Sequence, residues 1–402
     1  MTETPRSKQP GMEELLDAIT AEELRAAGSL KWTEFPQQLP AWVAEMDFGM
    51  AGPVTEALQA AVAQGLTGYL PGHLVAAMGA ACRDFMLDRH GWDVPADWIR
   101  PVADVLAALE CTVKHFSAPE ARIVVLTPAY MPFLDLPAIY GRELVEVPLA
   151  STDAAWELDF DALDAALSGG GLLVLCNPHN PVGKVYSRAE LLRISEIVAA
   201  HGARVFSDEI HAPLVYDGGT HVPYASVSAT AASHTVTATS ASKAWNLAGL
   251  KTAQMIFSNA ADRELWVGVG HFVEHGPSTL GVVANIAAYS SGGPWLSQVL
   301  HYLDGNRRLL AELVAEHLPG AVMLAPEGTY LAFIDCSGLG LAQGPCGSLA
   351  DFFRDEAGVS VVDGAECGRA GRGYVRLNFA TPRPILRQIV GQLGGAVAVS
   401  SH

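Results

Sequence analysis

TATSASKAWNLAGLK, residues 237–251, starts as a short apolar run and turns into a small-residue loop carrying Lys243 and Lys251. Four other runs resemble its opening: Ile123–Leu126, Leu172–Cys176, Val205–Phe206 and Ala253–Phe257. Together with Val236–Ala238, each is too short for a helix and lacks polar alternation, as expected of parallel strands covered on both faces. Helix-length segments separate them, which predicts an α/β domain on a mainly parallel sheet. Four runs lead into TPAY, NPHNPVG, SDEIH and TSASK. Ligands in open α/β sheets bind beyond the carboxyl ends of the strands, so these four turns are the material of one site.

The chain has 402 residues, 50% hydrophobic, with 25 Lys+Arg against 43 Asp+Glu and a formal charge of −18. Length and apolar content predict two or three structural units with a substantial core. The acidic balance makes nucleic acid and anionic membranes poor partners. No apolar stretch reaches the roughly 18 residues of a membrane span. The polar, Pro-containing opening MTETPRSKQPGMEELL argues against a signal peptide. Six scattered cysteines (Cys82, Cys111, Cys176, Cys336, Cys346, Cys367) form neither a zinc motif nor a disulfide framework, which fits a cytoplasmic protein without a metal.

Outward from the sheet, Pro53 opens a helical pattern closed by Gly65, and a second runs from Leu74 to His90. Beyond Gly292-Gly293-Pro294 a long helix, Trp295–His317, precedes the strands AFIDC and YVRLNF and a last helix from Pro384. The expected division is an N-terminal segment over 1–50, a large domain over 51–290 and a smaller α+β domain over 291–402.

Only six basic residues are lysine: Lys8, Lys31, Lys114, Lys184, Lys243 and Lys251. Chemistry that needs a primary amine therefore has few candidates. Lys243 stands just past a strand end among small residues, where it could form a Schiff base with a carbonyl; most lysines are simply solvated. Ser240 and Lys251 could hold a phosphate beside it. Asp208, in SDEIH, could pair with a protonated ring nitrogen or merely cap a helix. Asn177 could donate to a phenolate oxygen or serve a turn. Tyr130 could stack on a ring or pack in its loop. Arg376, in YVRLNF, could clamp a carboxylate or sit in a salt bridge. Pyridoxal phosphate would give all of them one explanation, because it needs an amine, an anion, a donor and a phosphate cup.

In that order, NPHNPVG, SDEIH and SASKAWNLAGLK resemble the fold-type I pyridoxal phosphate enzymes of the class I/II aminotransferase superfamily. WVAEMDF, Gly68-Tyr69, RHGW, PEGTYLAFID and GYVRLNFATPR are similar to the MalY/PatB-type cystathionine β-lyases, or C–S lyases. The likeness runs from about residue 30 onward. It implies a large domain with a mainly parallel seven-stranded sheet between helices, plus a smaller α+β domain. It further implies that Lys243 carries the cofactor and shuttles the Cα proton, that Asp208 pairs with the ring nitrogen, that Asn177 and His211 lie at the phenolate oxygen and that Tyr130 stacks on the ring. Ser240, Lys251 and the segment ending in Val105 would hold the phosphate, with Tyr69 reaching it from a second subunit of a homodimer. Arg376 would bind the carboxylate of an amino-acid substrate. The implied reaction is α,β-elimination from a cysteine S-conjugate. An aminotransferase has the same constellation, and the motif around Cys367 leaves room for an enzyme of specialised metabolism acting on a larger S-cysteinyl conjugate (by elimination, decarboxylation or oxidative deamination); a non-catalytic regulator of the same fold would not need Lys243, Asp208, Asn177 and Arg376 together. Two departures stand out: Asp104 in the phosphate segment, repulsive unless it turns away as a helix cap, and Cys367 where an aromatic is expected before Gly368.

Overall fold

Residues 172 to 176 show in the computed structural model why their sequence is apolar throughout. Leu173 and Leu175 enter the core on one face of the sheet, while Leu172, Val174 and Cys176 enter the core on the other. A strand buried on both faces has no solvent side to alternate with. The structure describes residues 11–341 and 347–400. The first ten residues of the opening segment, Lys8 among them, and Cys346 lie outside those described.

The large sheet has the order Ile99–Val102, Ala253–Phe257, Thr235–Thr239, Arg204–Asp208, Leu172–Cys176, Ile123–Thr127, Leu144–Ser151 and Trp156–Leu158. Ala253–Phe257 and Trp156–Leu158 run antiparallel to their neighbours, and the other six strands share one direction. Seven strands were expected and eight are found. The eighth is the three-residue edge strand Trp156–Leu158, in which exposed Glu157 separates buried Trp156 and Leu158.

The helix Gly72–His90 ends at Gly91, whose φ of 65° supplies the left-handed cap. Gly52–Ala63 begins with Pro53 in its first turn, where the missing N–H costs nothing. A second, four-stranded antiparallel sheet has the order Val322–Met323, Leu331–Asp335, Tyr374–Asn378, Val362–Asp363. The helices Gly293–His317, Leu349–Ala357 and Arg383–Ser400 pack around it.

Residues 31–47 are tied to this smaller part. Leu39–Pro40 pairs in parallel with Val359–Ser360. Lys31 and Asp47 form a buried ion pair at 2.8 Å, and Trp32 Nε1 donates to the same carboxylate at 2.8 Å. Asn378 Nδ2 donates to Val43 O at 2.6 Å and Glu45 O at 2.7 Å. On its other side the segment meets the lysine loop, where Asn246 Nδ2 donates to Met46 O at 2.9 Å and the Met46 N–H donates to Asn246 Oδ1 at 3.0 Å. Among the described residues, no helix is long and apolar enough to cross a membrane, and no three His, Cys, Asp or Glu side chains form a metal-holding group.

Candidate active site

Lys243 follows the strand Thr235–Thr239 by four residues and opens into a cavity of about 560 Å³. Asp208, His211, Tyr130, Val105, Lys251 and Arg376 line the same cavity. The structure thus brings together residues that the sequence spreads over 272 positions, from 105 to 376.

Each of the other described lysines has a carboxylate: Lys31 with Asp47, Lys114 with Glu110, Lys184 with Glu190 and Lys251 with Asp104. Among the described residues Lys243 has none within ion-pair distance; its Nζ donates to Ala44 O at 3.0 Å. Burial, with the Arg376 guanidinium adding to it, lowers its pKa to about 8. The amine therefore gives up its proton more readily than an ordinary lysine.

Asp208 ends its strand almost fully buried. Its Oδ1 accepts the Ile210 N–H at 3.0 Å, and its Oδ2 has only the Cys176 thiol at 3.8 Å. Burial raises its pKa to about 7, partly offset by the Ile210 N–H, the thiol and Lys243. Such a carboxylate favours a cation placed against Oδ2. His211 lies under Tyr330, with ring centroids 6.1 Å apart, and its Nδ1 is buried without a partner. Burial, then Lys243 and Arg376, lowers its pKa to about 3, so the ring is neutral.

Arg376 is 3% exposed and has no acidic partner among the described residues. Its Nη2 donates to Trp42 O at 3.0 Å and its Nη1 to Asn180 Oδ1 at 3.3 Å, while Nε is buried and unpaired. A guanidinium confined this way has donors to spare for a carboxylate. Tyr130 turns its ring edge-to-face against Phe133 at 5.4 Å.

At the phosphate end, Asp104 caps the helix Val105–Cys111 by accepting the Ala107 N–H at 2.8 Å. Its second oxygen takes Lys251 Nζ at 2.9 Å. The side chain thus caps the helix while remaining on the cavity wall, paired with Lys251. Ser240 lies beneath the wall: its Oγ donates to Thr252 O at 2.7 Å and accepts the Ser242 N–H at 3.0 Å. Ser242 and Thr252 themselves face the cavity.

Besides Ser240, two expected residues do not line this cavity: Asn177, and Tyr69, which was expected at the phosphate of a second subunit. Asn177 is fully buried, its Oδ1 accepting the Tyr186 N–H at 3.2 Å and its Nδ2 donating to Val222 O at 3.4 Å. The second asparagine of the same turn, Asn180, occupies the cavity wall. Both were visible in NPHNPVG, but only the folded turn decides which faces inward. Tyr69 is 92% exposed on a separate cavity of about 890 Å³, also lined by Arg100, His271 and Thr279. That cavity is larger but holds no lysine. Cys367 is buried in the core beside Phe333, its carbonyl accepting the Ala129 N–H at 2.8 Å, and its neighbour Glu366 is the one that reaches the cavity. Asp351 and Arg354 also line the cavity, and the Ser348-x-x-Asp351 capping box of their helix signals a helix start, not a site.

The residues fit pyridoxal phosphate: an amine without a counter-ion, a buried carboxylate open to a cation, an orphaned imidazole nitrogen and an unneutralised guanidinium share one cavity. Comparison with known proteins gives the same direction. Residues 43–393 match the family model described as aminotransferase class I and II. The chain is 38% identical to a cystathionine beta-lyase of Corynebacterium glutamicum, over 91% of this chain and 96% of that one. It is 34% identical to the cystathionine beta-lyase PatB of Bacillus subtilis, over 92% and 98%. The PLP-bound C–S lyase of Staphylococcus hominis superposes with a TM-score of 0.86 at 28% identity, covering 96% of this chain and 100% of that one.

Proposed function

The chain belongs to the aminotransferase class I and II family, within its cystathionine β-lyase branch, and from that premise we propose that it is a pyridoxal-phosphate-dependent C–S lyase. The substrate is a cysteine S-conjugate, and its α,β-elimination with water gives thiol, pyruvate and ammonia. The observation that carries this reading is Lys243, with its lowered pKa, in one cavity with Asp208 and Arg376.

When bound, the cofactor supplies an electron sink for the pair left on Cα. Asp208 would hold the positive charge of its ring nitrogen. Lys251, Ser242 and the Val105 backbone N–H would hold its phosphate, with Ser240 bracing Ser242. His211 and Asn180 would border its phenolate oxygen, with Asn177 bracing the turn from behind. Arg376 takes the substrate carboxylate in exchange for Asn180 and Trp42. Lys243 Nζ would accept the Cα proton, its lowered pKa of about 8 leaving a larger neutral share than an ordinary lysine has.

The assembly we propose is a homodimer in which exposed Tyr69 reaches the neighbouring subunit's phosphate. A cytoplasmic location fits five described cysteines that are all unpaired and buried.

Purified enzyme given L-cystathionine or S-methyl-L-cysteine is expected to release thiol and pyruvate together. Ping-pong exchange of amino groups between an amino acid and a keto acid, without thiol, would establish an aminotransferase instead.

A further inference from the structure

The Ala44 carbonyl that holds the reactive amine takes a second donor as well. Tyr330 Oη donates to it at 2.9 Å, alongside Lys243 Nζ at 3.0 Å. The neighbouring carbonyls are engaged too: Trp42 O by Arg376, Val43 O and Glu45 O by Asn378. Tyr330 is 1% exposed, edge-to-face with His211, and stands immediately before the strand Leu331–Asp335. The Phe379 N–H donates to its carbonyl at 3.0 Å. Before it, Thr329 has a φ of 64°, uncommon for a β-branched residue. Its N–H donates to Leu214 O at 2.8 Å, and its carbonyl accepts the Tyr216 hydroxyl. Burial, with Glu45 adding to it, pushes the Tyr330 phenol well above its ordinary pKa, so the hydroxyl keeps its proton and remains a donor.

A carbonyl oxygen has two lone pairs and can serve both donors at once. Each donor then meets an oxygen whose electron density is shared, so the phenol weakens the carbonyl's hold on the ammonium. A hydrogen bond to the charged form favours that form, and weakening it favours the neutral amine. The phenol acts again when the amine departs. A buried carbonyl left without a donor is costly, and Tyr330 stays on Ala44 O after Lys243 moves off. Both effects ease the departure of the amine. The other groups that bear on it come from three sides: Arg376 opposes its charge, Glu45 and Asp208 favour it, and the neutral His211 ring lies close by.

We propose that Tyr330 is a positioning residue for the reacting lysine, sharing the Ala44 carbonyl so that the amine is held in place yet readily released. The proposal rests on Lys243 being the reacting amine and adds a control on that residue which the cofactor and substrate contacts do not supply.

The test uses the full-length chain, cofactor-free, so that the amine itself is read. Trace labelling with acetic anhydride acylates only the neutral amine. Mass spectrometry of the Lys243 peptide across pH then gives the proton affinity without turnover. Tyr330→Phe keeps the ring and removes the hydroxyl. It is expected to move the Lys243 titration up by roughly 0.5–1 pH unit and to slow labelling at pH 7 about three- to tenfold. Tyr216→Phe is the control: it removes another buried phenol from the next carbonyl over, Thr329 O, and should leave the midpoint within about 0.2 unit. No shift in Tyr330→Phe, a downward shift, or equal shifts in both variants overturns the proposal. Because labelling needs no turnover, a protein that shows the Tyr330→Phe shift but releases no thiol would lose the elimination reading and keep this one.

Discussion

Burial acts on Lys243 and Asp208 in opposite senses, disfavouring the charge on each. For Asp208 the folded pKa of about 7 lies above the ordinary 3.8, so the folded state binds more protons between those values. Stability of cofactor-free protein should therefore fall as pH rises from 3.8 through about 7. Lys243, lowered to about 8 from 10.5, should return stability as pH rises through that higher window. Asp208→Asn removes the first penalty. Denaturant melts of cofactor-free protein at pH 8 should show the variant more stable by roughly 2–4 kcal/mol; a variant no more stable there contradicts the assigned burial cost. Lys243→Arg keeps a cation but loses a titratable amine, so kcat should fall by more than about 10²-fold and the visible band should vanish. At this scale the sequence made the lysine legible, because its loop is rich in small residues and lysines are scarce. It did not separate Asn177 from Asn180, since their difference lies in how one turn is folded over Arg376.

Strands and turns were legible in proportion to their burial. Leu172–Cys176 and Ala253–Phe257 are found with the bounds read from the sequence, because both faces of each are covered. Ile99–Val102 and Leu144–Ser151 were missed. The first is an edge strand containing Pro101, and the second carries Pro148 and is half-exposed, so neither shows an unbroken apolar run. The helix cap at Asp104 has a functional side: its carboxylate serves both the Ala107 N–H and Lys251. Asparagine caps a helix about as well as aspartate but carries no charge. Asp104→Asn should keep thermal stability within about 0.5 kcal/mol and tighten pyridoxal phosphate binding roughly two- to fivefold. Fluorescence titration of cofactor-free protein checks this, and weaker binding would mean that Asp104 orients Lys251 instead of competing for it.

Across the whole molecule, the smaller sheet and residues 31–47 form a lid over the lysine loop through Asn246 and Ala44. Lys31 anchors this arrangement from within: its ammonium is buried on Asp47 and lies 3.4 Å from Ala380 O. Lys31→Met would leave Asp47 buried without a counter-ion, holding only the Trp32 N–H, and destabilise the fold by about 3–5 kcal/mol. Lys31→Met combined with Asp47→Leu should recover much of that loss in the same melts, since no charge is then stranded; a double variant as weak as the single would point to lost packing. The scarcity of lysine narrowed the search to six residues, and composition alone did not show that Lys31 is a buried structural cation while Lys243 has no counter-ion among the described residues.

The reach of that lid across the chain has a consequence for how the protein is made. Lys31 meets Ala380 across 349 positions, and Asn378 holds Val43 across 335. At translation speeds the two halves of this closure appear tens of seconds apart. In the last part of that interval the lysine loop is already synthesised, while Asn378 and Ala380, which hold the segment carrying Ala44, are still to come. Until the residues near 380 have left the ribosome, a nascent or prematurely ended chain carries Lys243 without the contacts that fix residues 31–47 beside it.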